Sequence, residues 1–145
     1  MLEADLLPPI VHHFESLGFR AIAEVPVDGR RADLVAISDA GVVAVELKLF
    51  RWRQALRQAV AYQVWAADAY VALPFVPALR AVRHRHRFAS EGVGLLAVLD
   101  GSVRTFIEAA PSPRLFPPLT DWVRRQLAPP AISLDAFRAD SGERF

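Results

Sequence analysis

Glu46 and Lys48, spaced Glu-Leu-Lys in the apolar stretch "GVVAVELKLF", are the residues best suited to chemistry. Lys48 is the only lysine, against sixteen arginines, so positions content with any positive charge have become Arg. Arg is a planar, always-charged fork, whereas Lys is a compact point charge whose pKa can be tuned. A position that keeps Lys under such a bias is one that must touch a single oxygen or water. Side chains alternate faces along an extended strand. Glu46 and Lys48 therefore share a face with Val42 and Ala44, while Val43, Val45, Leu47 and Leu49 take the other.

The preceding apolar run, "RADLVAI", supplies a partner. If Ser38 to Gly41 form a four-residue loop, Ile37 faces Val42, and the same antiparallel register sets Asp33 across from Glu46. Directly opposed residues have Cβ atoms roughly 4.5–5.5 Å apart. Two carboxylates that close repel, and one should be protonated unless a cation lies between them. A magnesium ion would resolve the conflict, because it takes one or two carboxylates, keeps waters and binds substrate phosphates. Lys48, one pleat further along, would then orient or deprotonate an attacking water, or neutralise developing phosphate charge. Glu-x-Lys on an exposed strand is ordinarily a solvated ion pair that contributes little. The lone lysine and the opposing Asp33 favour the site over that alternative.

The segment after Lys48 has helical period. At about 100° per residue, Arg51, Gln54, Gln58, Tyr62 and Trp65 form one stripe, opposite a core-facing side of Leu56, Val60 and Ala67. A polar stripe with aromatics suits phosphates and stacked bases, with burial in the core the equal alternative for Trp65. Arg80, Arg83 and Arg87, with His84, give a second basic stripe on a helix expected from Pro77 to Phe88. It is either a solvated face or a further phosphate-contact patch. His84 and His86 do not face each other on a helix, which argues against a metal there. His12 and His13 have no triad partner, and read as helix surface and half-buried, respectively.

These residues need elements to hold them. Asp5 is placed to cap a first helix that tolerates Pro8 and Pro9, turns Ile10, Val11, Phe14 and Leu17 inward, and ends at Gly18. "FRAIAEVPV", "RADLVAI" and Val42 to Phe50 read as three strands, with "DGR" and "SDAG" as their turns. The helix of "RWRQALRQAVAYQVWAADA", the strand "YVALP", the helix after Pro77 and the hairpin "GLLAVL-DG-SVRTFIEA" follow. That order predicts an α/β fold, a mixed β-sheet flanked by helices. Residues 1–110 make the main domain. Residues 111–145 make a proline-rich extension packed on it, helical over Thr120 to Leu127. "RLFPPLTDW" covers a sheet edge or an apolar patch, and "ADSGERF" is a frayed tail.

Bulk composition narrows the class. A 145-residue chain with 53% hydrophobic and 23% charged residues is globular and most simply one domain. No cysteine means no disulfide, thiolate chemistry or Cys-based zinc site. The acidic N-terminus lacks signal-peptide character and no apolar run reaches spanning length, so the expectation is a cytoplasmic protein without membrane partners. A net charge of +1 gives no strong overall attraction to nucleic acid. Any basic surface must be local, or the substrate is presented by a partner protein or by the second subunit of a homodimer.

The ordered set of motifs resembles the PD-(D/E)xK nuclease-like superfamily, whose signature is an acid opening one strand and Glu-x-Lys on the next. Asp33 in "RADLVAI" and Glu46-Leu47-Lys48 in "VAVELK" match it, and "QAVAY", Gln58 to Tyr62, matches the Gln-x-x-x-Tyr of the following helix. "EADLLPPIVHHFESLGFRAIAEV" looks like the opening of a bacterial PD-(D/E)xK phosphodiesterase family, so the resemblance spans roughly residues 3 to 108. "RRAD" stands where the eponymous Pro-Asp would be. The resemblance implies a restriction-endonuclease-like core and a Mg2+ (or Mn2+) ion on Asp33, Glu46 and the Leu47 carbonyl. It implies that Lys48 serves the attacking water, Gln58 belongs to the catalytic set, and Glu3 is the helix-one acid, with Glu15 as the fallback. The implied activity is hydrolysis of phosphodiester bonds in nucleic acid, DNA before RNA. A catalytically idle nuclease fold used for nucleic-acid or protein binding is the alternative.

Overall fold

Strands as apolar as "DLVAI" and "GVVAVEL" must be covered on both faces. The structure, a computed structural model describing residues 1–129, covers them with helices on each side of one sheet. A 3-10 turn, Glu3–Leu6, leads into α1 (Leu7–Ser16). The meander β1 (Arg20–Val27), β2 (Arg30–Ser38) and β3 (Gly41–Leu47) follows, then α2 (Trp52–Tyr62) and β4 (Asp68–Pro74). Next come α3 (Phe75–Ala81), a 3-10 turn Val82–His84, α4 (Arg85–Glu91), the hairpin β5 (Gly94–Leu99) and β6 (Ser102–Ile107), and α5 (Pro117–Leu127). The six strands lie in sequence order. β3, β4 and β5 are mutually parallel, and the flanking pairs are antiparallel. This is the α/β, mixed-sheet fold class that the patterning predicts.

The meander's register comes from its turns. Asp28 and Gly29 both have positive φ, 51° and 77°, as a two-residue hairpin turn of the primed type requires. Between β2 and β3, Ser38 pairs with Gly41, so only Asp39 and Ala40 form the turn, shorter than the expected four-residue loop. Ile37 still faces Val42, and the register is the expected one.

One sheet face packs on α1, through Leu6, Ile10 and Phe14 against Leu34, Val43, Val45, Leu47 and Leu96. The opposite face carries α2 to α5. Gly94 permits the close approach of β4 and β5, since a Cβ there would lie 2.4 Å from the Tyr70 ring. The C-terminal segment is bound to α2's exit: Ser112 and Phe116 donate backbone hydrogen bonds to Ala67 and Val64 at 2.8 and 2.7 Å. α5 then buries Val123 beside Val25, Val35 and Val42, covering an apolar patch of the sheet. The expected tail "ADSGERF" lies outside the described residues.

Several local expectations are corrected. Asp5 sits inside the first 3-10 turn, where its carboxylate accepts the Leu2 N–H at 2.7 Å, and does not cap α1. Leu17 is exposed, because α1 ends one residue before it. The third strand stops at Leu47, although Lys48 still donates its N–H to Ala72. The helix after it ends at Tyr62, since Gln63 to Ala67 must return the chain to β4. The Pro77 helix begins earlier, at Phe75, with Pro77 in its first turn, where the missing N–H costs nothing. It breaks into α3, a 3-10 turn and α4, so Arg80, Arg83 and Arg87 do not lie on one continuous helix. Among the described residues no helix is long and apolar enough to cross a membrane.

Candidate active site

Leu34 pairs with Val45, and the same register carried one residue further brings Asp33 across from Glu46, whose carboxyl is tied to α2 through Tyr62. The Asp33 carboxyl lies close enough to Glu46 to act on it by hydrogen bonding and charge, and Asp33 Oδ2 accepts the Leu47 N–H at 2.8 Å. Glu46 is 3% exposed, and its Oε1 accepts the Tyr62 hydroxyl at 3.0 Å. That hydroxyl lies 3.1 Å from the Arg31 carbonyl oxygen as well.

Burial chiefly pushes the Glu46 carboxyl up to about 8, reinforced by the hydrogen bond and the negative charge of Asp33. Tyr62's hydrogen bond and Lys48's charge pull the other way. A pKa raised that far favours the protonated form of Glu46 near neutral pH. The buried Tyr62 phenol is held far above its usual range, first by burial and then by the charge of Glu46.

Lys48 is half-buried, and its charge acts on Glu46. Among the described residues the one salt bridge joins Arg114 to Glu91, so Lys48 and Glu46 are not a closed ion pair. The bland alternative for Glu-x-Lys therefore lacks its contact.

Beside Asp33 lies a cavity of about 200 Å³ lined by Glu3, Glu24, Arg31, Asp33 and Leu47, among others. Glu3 thus reaches the same cavity as Asp33, whereas Glu15, exposed on α1, does not line it. Glu24 is a residue the sequence reading missed. It lies between the pairs Ala23–Leu34 and Val25–Ala32, opposite Asp33, with φ of 54°. Non-glycine residues rarely adopt that conformation inside a strand. Counting back from the Asp28–Gly29 turn would have found it.

On α2, Gln58 sits one turn before Tyr62. It is half-buried, and its Oε1 is buried without a hydrogen-bond partner among the described residues. An orphaned buried acceptor costs stability unless something occupies it.

These groups fit a hard divalent cation. The like-charged pair Asp33 and Glu46 is what a cation would relieve, the Leu47 carbonyl is adjacent in the chain, and magnesium needs only one or two carboxylates with water completing the shell. Among the described residues, no three acids or histidines group closely enough to enclose a metal unaided. Water would fill the remaining positions.

The expected nucleic-acid contacts divide. Arg51, Gln54 and Arg80 line a cavity of about 660 Å³ with Phe50, Trp52, Arg53, Arg57 and Pro77. Arg87 lines an adjoining cavity of about 470 Å³ that Arg53 and Arg57 also border. Arg83 is exposed but lines neither. Tyr62 is corrected: it is buried and its hydroxyl is already engaged with Glu46, so it supports the carboxylates from within and offers no face on which a base could stack. Trp65 is likewise buried. Of the expected stripe only Gln54, Gln58 and Tyr62 lie within α2, and the helix buries Trp52, Ala55, Leu56, Ala59 and Tyr62 in place of the expected Leu56, Val60 and Ala67.

No protein-family model matches the chain, and no curated protein sequence does. Among solved structures it is similar to one described as "SPO1766 protein of unknown function from Silicibacter pomeroyi", at 20% identity and a TM-score of 0.66. The similarity covers 99% of this chain and 92% of that one, and it shows a shared fold.

Proposed function

We propose that this chain is a magnesium- or manganese-dependent nuclease that hydrolyses phosphodiester bonds in nucleic acid, with DNA the first substrate to test, in the cytoplasm. The observation that carries the reading is the buried Glu46 carboxyl beside Asp33, with Lys48, in no salt bridge among the described residues, two residues further along the chain. A purely structural pair of acids would be a liability there. A cation site makes it useful.

In this reading Asp33, Glu46 and the Leu47 carbonyl hold the cation, which supplies charge neutralisation and water activation when bound. Tyr62 fixes the Glu46 carboxyl by its hydrogen bond. Lys48 contacts the attacking water or a phosphate oxygen and stabilises charge that grows in the transition state. Gln58 offers its unsatisfied carbonyl oxygen as a further acceptor for that water. One water is consumed, one P–O ester bond breaks, and a phosphate end and a hydroxyl end result. The testing experiment is cleavage of single-stranded and duplex DNA and of RNA with magnesium or manganese, with Lys48→Ala as control. Metal-dependent cleavage lost in the variant supports the reading, and no cleavage of any substrate sinks it.

A catalytically idle fold is the second reading. The closed hydrogen bonding of Glu46 with Tyr62 and Asp33 favours it, because those bonds satisfy the carboxyl without a metal.

A further inference from the structure

The near-neutral net charge conceals a segregation. From Lys48 to Glu91 the chain carries eight basic side chains against two acids, Asp68 and Glu91, whereas the whole chain is +1. Four of these arginines, Arg51, Arg53, Arg57 and Arg80, line the 660 Å³ cavity. None of the four is in a salt bridge among the described residues. No carboxylate lines that cavity. Its floor is packed: Trp52 is 7% exposed, with the Arg53 guanidinium 4.3 Å from its ring and the His84 ring stacked at 4.8 Å. Its rim is open to solvent. Phe50, two residues after Lys48, is 63% exposed, and Arg51 lies 5.8 Å from its ring centre.

An exposed aromatic ring amid unpaired arginines has the features of a single-strand binding surface, phosphate contacts plus a stacking platform. A duplex offers phosphates but hides its base faces, and would leave Phe50 in water. An anionic membrane surface would suit a protruding patch better than a concave one. We infer that the cavity binds single-stranded nucleic acid, a base stacked on Phe50 and the backbone on Arg51, Arg53, Arg57 and Arg80. The strand would thereby be led toward Lys48. This inference deepens the nuclease reading and rests on it for the direction of the strand.

The test is fluorescence anisotropy in EDTA, so that binding is read without cleavage. The probes are labelled oligothymidylate, an abasic phosphodiester strand of equal length and a blunt duplex; anionic phosphatidylserine vesicles are assayed by co-sedimentation. Oligothymidylate should bind about tenfold more tightly than the abasic strand. Phe50→Ala should erase that ratio and Phe50→Trp should keep it. Arg57→Ala combined with Arg80→Ala should weaken both strands alike and lower the salt slope by about 0.7 per arginine. Equal binding of the two strands, tighter binding to duplex or vesicles, or no binding overturns the inference. Strand binding without cleavage under magnesium would remove the nuclease reading alone, and cleavage confined to duplex would remove this one alone.

Discussion

The carboxyl groups of Asp33 and Glu46 act on each other across two strands, one of them fixed by the Leu47 N–H and the other by the Tyr62 hydroxyl. Each acid is held from a different direction, so neither can swing away to relieve the repulsion. Protonation or a cation must do it instead.

The first prediction concerns pH. A carboxyl whose folded pKa is raised binds its proton more tightly in the native state than in the unfolded one. Its contribution to stability is thus intact below the usual 4.5 and is lost as the pH climbs through about 8. Metal-free thermal melts of wild type should therefore decline across that window relative to Glu46→Gln, by a difference of a few kcal/mol at the alkaline end. Parallel pH profiles for the two proteins would show that Glu46 ionises normally.

Metal should invert the ranking. Saturating magnesium or manganese at about 100 times Kd would stabilise wild type by about 2.7 kcal/mol, read as a rise in Tm. Asp33→Asn should remove most of that rise, and adding Glu46→Gln should change little more, because the pair acts as a unit. Without metal, Glu46→Gln should match or exceed wild type. Absence of any metal shift in wild type would put the idle fold ahead.

Lys48→Arg should abolish cleavage nearly as fully as Lys48→Ala, a loss of at least about 100-fold in kcat, with Tm unchanged. The guanidinium fork is too broad for a half-buried position beside two carboxyls. Activity close to wild type in the Arg variant would mean that the solitary lysine has no chemical cause.

Gly94→Ala should destabilise the fold by about 1–3 kcal/mol. The added methyl would meet the Tyr70 ring at 2.4 Å and the Ala109 nitrogen at 2.7 Å, and neither can retreat without moving β4 or the chain after β6. Chemical denaturation measures it, and an unchanged midpoint would show that the strands slide apart at no cost.

The meander and its register were legible because alternation leaves each strand one inward set, and a one-residue slip would turn Glu46 into the α1 core. Tyr62 was misjudged because a helical wheel gives angles between side chains but not the side on which the sheet lies. The end of α2 departs from the local pattern because the chain there is tied elsewhere, as Phe116 is to Val64, whereas Leu17 lies in the local turn that closes α1 at Gly18. Glu24 is legible only by counting the β1–β2 register back from the Asp28–Gly29 turn, because its left-handed backbone has no signature in residue type.

The basic run from Lys48 to Glu91 has one more consequence. Removing it leaves the remaining residues with fourteen acids against nine bases, so positive charge is gathered in one stretch of the sequence. Where that stretch lines the arginine cavity, it draws a polyanion to that side first.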